Sequence, residues 1–259
     1  MPILSTALGR IGFAERGSGG VPVVFLHGVG SDKSVWNPQL DHFSRVCRSI
    51  AFDYPGYGDS DPAPDGTTRD DYAEAIHSAL HALDVERAHI CGLSLGGVVA
   101  IALADAVPNH CASLILADTF AAHPDGHAIY ERALAVTDLR ALAEARVDVL
   151  LAQPADPAVR REVVETMAKI APAAYRIGAE AVWLADQGER AHDINVSTLV
   201  LCGSEDVVTP PTLSLALAEL IPGARTKLID GAGHLSNLER PEAFNAIVGS
   251  FVREVDARR

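Results

Sequence analysis

The sequence predicts a doubly wound α/β domain whose mostly parallel sheet is interrupted by a helical cap. Three observations carry that expectation. Short apolar runs end at small or polar residues, as Val23-Val24-Phe25-Leu26 does at His27-Gly28 and Thr198-Leu199-Val200-Leu201-Cys202 does at Gly203. Longer helix-patterned stretches separate these runs. One span, 120–193, has helix patterns but no convincing strand. Apolar runs without polar alternation suit strands covered on both faces, as in parallel sheets. Strand–helix alternation then winds helices onto both faces.

Taken in order, further strands are expected over 48–52 before Asp53, 89–91 before Gly92, 113–117 before Asp118 and 226–229 before Asp230. Helices are expected over 70–83, 95–106, 211–220 and 241–251. The last two open on Pro211 and Pro241, which suit a first helical position because the N–H there has no partner inside the helix. Within 120–193, helices over 133–151, 158–170 and 173–185 are set apart by Pro154, Pro157 and Pro172. The expected division is a core of 1–119 and 194–259 around a cap of 120–193. Open α/β sheets bind ligands past the C-terminal ends of their strands, where such a cap would form a lid.

Composition narrows the function. The 259 residues, 48% hydrophobic and 21% charged, suit one domain with a core large enough to need no staples. No apolar run reaches the ~18 residues of a membrane span. Met1 to Thr6 lack the basic and apolar regions of a secretion signal. Cys47, Cys91, Cys111 and Cys202 mostly sit in apolar stretches without C-x-x-C spacing, as expected of reduced thiols in a cytoplasmic protein. Lys and Arg total 21 against 34 Asp and Glu, a net charge of −13 that disfavours nucleic acid and membrane surfaces as partners. A small molecule is the expected partner; homo-oligomerisation is left open.

The strongest motif is Gly92-Leu93-Ser94-Leu95-Gly96, between a strand run and a helix start. Strand, sharp turn and helix are the setting of a nucleophile elbow, and glycines two positions either side of Ser94 relieve collisions in the turn. A serine hydroxyl needs a base, and the base an orienting acid. His234, in Gly231-Ala232-Gly233-His234, is the candidate base, and Asp206, in Gly203-Ser204-Glu205-Asp206, the candidate acid. Both follow strand runs. Asp118 is the rival acid, followed by Glu205. Leu26-His27-Gly28-Val29-Gly30 completes the set, since an oxyanion hole needs two backbone N–H groups. Leu95 and Val29 are the candidates, with His27 bracing the loop.

These motifs, with Asp53-Tyr54-Pro55-Gly56-Tyr57-Gly58-Asp59-Ser60, closely resemble the α/β-hydrolase superfamily over nearly the whole chain. The order Ser94, Asp206, His234 matches that superfamily's triad. The stretch 88–97 is similar to 3-oxoadipate enol-lactonases, whose relatives include small esterases, acyl-homoserine lactonases and C–C hydrolases of aromatic ring-cleavage products. A serine at position 94 sets the chain apart from dehalogenases and epoxide hydrolases of this fold, which carry aspartate there. The resemblance implies a serine hydrolase of a small ester or lactone, acting in aromatic-compound catabolism through an acyl-enzyme on Ser94. Alternatives are C–C hydrolysis, a cofactor-free perhydrolase, and a non-catalytic small-molecule receptor. No cofactor or metal is expected: His77/His81 and His123/His127 have no evident third ligand and read as surface or packing histidines. Trp183 either lines the pocket or packs the cap. Arg132, Arg140, Arg146, Arg160, Arg161 and Arg176 include candidates for an anionic substrate's partner, though a solvated helix face accounts for each singly.

Overall fold

The computed structural model describes residues 2–258. Among them the chain forms one sheet in the order β1-β2-β4-β3-β5-β6-β7-β8. The strands are β1 (Ile3–Thr6), β2 (Gly9–Arg16), β3 (Val23–Leu26), β4 (Ser49–Phe52), β5 (Ala88–Leu93), β6 (Cys111–Ala117), β7 (Thr198–Gly203) and β8 (Arg225–Ile229). From β4 to β8 every neighbouring pair is parallel, while β1–β2 and β2–β4 are antiparallel.

Strands β3 to β7 are buried at every position, which is why they read as unbroken apolar runs. Strand β8 closes the edge with four exposed positions, and Arg225 and Lys227 stand there as charges that discourage edge pairing. The N-terminal strands are a correction to the sequence expectation, which placed none before Val23. β1 has no fully buried residue, and β2 is buried only at Ile11, Gly12 and Phe13, so neither carries a long apolar run.

The core helices are α1 (Asn37–Phe43), α2 (Arg69–Ala82), α3 (Leu95–Ala106), α9 (Pro211–Leu220), α10 (Ser236–Glu239) and α11 (Pro241–Ala257). A capping box starts α2: the Thr68 hydroxyl accepts from the Asp71 N–H while the Asp71 carboxylate accepts from the Thr68 N–H. Helix α11 runs past the expected end at Phe251 to Ala257 because Val252 and Val255 keep a buried stripe going.

Between β6 and β7 lie α4 (Gly126–Leu134), α5 (Leu139–Leu150), α6 (Pro157–Met167), α7 (Pro172–Trp183) and α8 (Gly188–Asp193). The single helix expected over 133–151 is instead broken. Asp138 caps α5 by accepting from the N–H groups of Arg140 and Ala141, which fixes a new start there. Within the insertion α4 packs on α7 and α5 on α6.

A buried ion pair ties the loop after β3 to the turn after β4. The Lys33 ammonium lies 2.5 Å from Asp53 and 2.6 Å from Asp59, while the Lys33 N–H donates to Asp53 at 2.8 Å. Gly58 is required in that turn, with φ of +51° and an added Cβ only 2.2 Å from the Asp53 carboxylate. The Asp53-to-Ser60 segment thus supports the loop that borders the site.

Candidate active site

Ser94 sits between the end of β5 and the start of α3 with φ 55° and ψ −114°. A non-glycine residue there is strained, and such strain persists only where the surroundings hold it. Here the Ser94 N–H donates to Ala117 O at 3.0 Å, and the Thr119 hydroxyl donates to Ser94 O at 2.8 Å. The flanking glycines are sterically required. A Cβ on Gly92 would meet Gly96 O at 2.1 Å, and one on Gly96 would meet Leu26 O at 2.0 Å. Strand and helix can therefore approach closely enough to lift Ser94 from the sheet.

His234 follows β8 on a loop held from two sides. Its N–H donates to Leu150 O of α5 at 2.9 Å, and the N–H of Gly233 donates to Glu239 at 2.9 Å. Its Nδ1 lies 2.9 Å from Asp206 Oδ2. That contact places the ring proton on Nδ1 and leaves Nε2 as the acceptor. Asp206 also accepts from the N–H groups of Val208 and Thr209 at 2.8 and 3.0 Å and from the Thr209 hydroxyl at 2.7 Å. Burial alone would raise the Asp206 pKa, but His234 and the Thr209 donors outweigh it and bring the value to about 2. For His234, burial works to lower the pKa; the charge of Asp206, aided by Asp118, outweighs it and holds the imidazole above its ordinary value.

The two rival acids are placed otherwise. Asp118, past the end of β6, accepts from the Gly203 N–H at 2.8 Å and from the Ser236 hydroxyl at 2.5 Å. It bridges three loops but makes no hydrogen bond to His234 among the described residues. Burial foremost, then the charge of Asp206, pushes its carboxyl up to about 8. Glu205 is exposed.

Ser94 and His234 line one cavity of about 720 Å³, counting its open mouth, a size suited to a small molecule. Val29 and Gly30 form another part of its wall, and α5, α6 and α7 close it with Leu150, Val163, Met167, Tyr175 and Trp183. Leu95 opens α3, so its N–H has no partner inside that helix. His27 stands behind the loop, its Nδ1 2.8 Å from Gly28 O, and does not line the cavity. Trp183 does line it, stacked on Phe120 at 5.8 Å.

Residues 23–247 match the model of the alpha/beta hydrolase family. The chain belongs to that family. It is 29% identical over 242 residues to 3-oxoadipate enol-lactonase 1 of Acinetobacter baylyi, covering 90% of this chain and 89% of that protein. It is 28% identical to the 2-hydroxy-6-oxononadienedioate/2-hydroxy-6-oxononatrienedioate hydrolase of Cupriavidus pinatubonensis, covering 94% and 90% of the two chains. Among solved structures, the enol-lactonase from Burkholderia xenovorans LB400 superposes with a TM-score of 0.90 and 28% identity, covering 97% of this chain and 100% of that one. The α/β-hydrolase fold and the likeness to enol-lactonases, both expected from the motifs, hold.

Several residues around the site of this hydrolase escaped the sequence reading. Thr119, Thr209, Ser236 and Glu239 touch the elbow, one of the two aspartates or the histidine loop, yet a lone polar residue in a loop or in the short α10 carries no pattern of its own. Among the described residues, the one cluster with metal-ligand atoms within 4.8 Å is Asp118, Cys202 and Asp206. Its carboxylates are already taken up by protein donors and His234, and burial pushes both the Asp118 carboxyl and the Cys202 thiol up, so Asp206 is the one ionised ligand the group could offer a metal. No helix among the described residues is long and apolar enough to cross a membrane.

Proposed function

We propose that this hydrolase cleaves a small carboxylic ester or lactone through an acyl-enzyme on Ser94. The observation that carries the reading is the pairing of His234 Nδ1 with Asp206 at 2.9 Å while the same imidazole shares a cavity with the strained Ser94. Ser94 Oγ attacks the carbonyl carbon and its proton passes to His234 Nε2. Asp206 holds the ring and stabilises the imidazolium. The N–H groups of Leu95 and Val29 receive the oxyanion. His234 then gives its proton to the leaving oxygen, and the C–O bond breaks. A water, deprotonated by His234, splits the acyl-enzyme into carboxylic acid and free Ser94. The helical segment 120–193 acts as the lid. Four free, buried cysteines fit a reducing cytoplasm.

A second reading, hydrolysis of a C–C bond in a vinylogous diketone, is favoured by the dienedioate hydrolase relative and would use the same three residues. Turnover of p-nitrophenyl acetate tests the first reading. Wild type should show a burst of p-nitrophenol followed by steady turnover, and Ser94→Ala should lose about four orders of magnitude or more in kcat. Equal rates for the two proteins would remove Ser94 as nucleophile. A wild type inert on esters but active on a ring-cleavage diketone would favour the second reading.

A further inference from the structure

Arg146 projects from α5 into the cavity that Ser94 and His234 share. It is half-buried, and among the described residues it has no hydrogen bond or ion pair. Four other arginines of the insertion are answered, Arg140 by Glu165, Arg160 by Asp148, Arg190 by Asp70 and Asp105, and Arg176 by the Val136 carbonyl, while Arg132 and Arg161 are exposed to solvent. The remaining wall near Arg146 is largely apolar. Glu162 also borders the cavity but is exposed and does not reach Arg146. A guanidinium with no counter-charge from the protein keeps its planar fork of N–H donors free, and that fork matches a carboxylate in shape and charge.

Position adds a second argument. Arg146 and Val208 are shared between the catalytic cavity and an adjoining surface groove bordered by His123, Arg132, Leu213 and one carboxylate, Asp125. Arg132 is exposed and likewise has no hydrogen bond or ion pair among the described residues. On a chain of net charge −13, two unanswered arginines along one approach form a local attraction for anions. Arg146 also acts on the chemistry: its positive charge lowers the pKa of His234 and so opposes imidazolium formation. A negative group seated on Arg146 would cancel that opposition just when His234 takes its proton.

We infer that the substrate carries a carboxylate, and that Arg146 selects it by pairing with it where the cavity meets the groove. The inference rests on the ester or lactone reading above and adds to it the charge of the substrate and the residue that chooses it.

Two matched pairs of esters test it. In one pair, p-nitrophenyl hydrogen glutarate and p-nitrophenyl valerate, the carboxylate is on the acyl side. In the other, m-carboxy-p-nitrophenyl acetate and p-nitrophenyl acetate, it is on the leaving group. In at least one pair, wild type should favour the anionic ester in kcat/KM by about tenfold, as one charge-assisted pair allows. Arg146→Gln should remove that preference, mainly through KM, and Arg146→Lys should restore part of it. The acid limb of kcat/KM on the neutral ester should move to higher pH in Arg146→Gln, a shift that loss of packing alone would not produce. Preference for the neutral member in both pairs, or an unchanged ratio in Arg146→Gln, overturns the inference. Should wild type turn over no ester, the ester reading fails, and glutarate binding read by melting temperature then decides the role of Arg146. An equal glutarate shift in wild type and Arg146→Gln, or none in wild type, overturns it.

Discussion

The strand tips and the helical insertion both wall the cavity that Ser94 and His234 share, yet they are built on different terms. At the tips of β5 and β7, backbone approaches backbone so closely that a single methyl has no place: a Cβ on Gly96 would lie 2.0 Å from Leu26 O, and one on Gly203 2.1 Å from Gly233 O. In the insertion, α4 buries only Gly126 and Ala133, and α5 only Leu139, Ala143 and Val147. Its ion pairs, such as Arg140–Glu165, are exposed. On the proposed function the difference separates two tasks. The proposed reacting groups stand where backbone crowding fixes their geometry; the proposed choice of substrate stands on a layer with exposed outward faces. Among the points where the two meet are the Leu150 carbonyl on His234 N–H, the Glu239 carboxylate between Ala152 N–H and Gly233 N–H, and the Tyr57 hydroxyl on the Ala174 carbonyl.

Substitutions of decreasing weight can break or sharpen this contrast. The largest effect is expected for Asp206→Asn, which keeps the shape but removes the charge facing His234; kcat should fall by about 10⁴-fold, as when the orienting acid is lost in serine enzymes. A loss matched by Asp118→Asn would mean that the acid role is shared between the two tips. Next comes Gly96→Ala, where the colliding atom is backbone and cannot swing away; a destabilisation of about 3 kcal/mol or more, read by denaturant unfolding, is expected. Near-normal stability would show that the tips can yield after all.

Asp118→Asn itself should act more gently and through pH. Because its folded pKa is raised to about 8 from an ordinary value near 4, the stability it contributes is complete below about pH 4 and is lost as pH rises toward 8. The asparagine variant should therefore gain on wild type in melting temperature between pH 5 and pH 9, with the larger advantage at pH 9. A constant difference would mean that Asp118 is ionised throughout. Smallest of all is Arg140→Ala on the insertion: with both partners of its ion pair half exposed, no measurable change in melting temperature or ester turnover is expected. A marked loss in either would show the insertion to be as tightly determined as the sheet.

Fully buried strands announced themselves, because burial on both faces leaves no polar position to interrupt the run. The N-terminal hairpin did not, since β1 is nowhere fully buried and β2 only at its centre, and neither pattern differs from a loop by local reading. Helices with apolar stripes and proline starts show in the sequence, α9 at both ends and α11 at its start. The break between α4 and α5 was missed because residues 135–138 include no glycine or proline; only the Asp138 side chain turning to the N–H groups of Arg140 and Ala141 marks it. At the site, Ser94, Asp206 and His234 could be named because each follows a strand run within a motif.

By itself, then, the sequence determined the fold class and pointed to Ser94, Asp206 and His234 as candidates, since periodicity and glycine spacing are local properties of the chain. Which carboxylate meets the imidazole was decided in three dimensions. Asp118 and Asp206 both follow strands, and only packing puts Asp206 on Nδ1 and Asp118 on Ser236. The arginines of the insertion were indistinguishable as a string of charges. Folding answers Arg140, Arg160 and Arg176 within the protein and turns Arg146 toward Ser94 and His234, because a helix face gains its meaning only from what it is packed against.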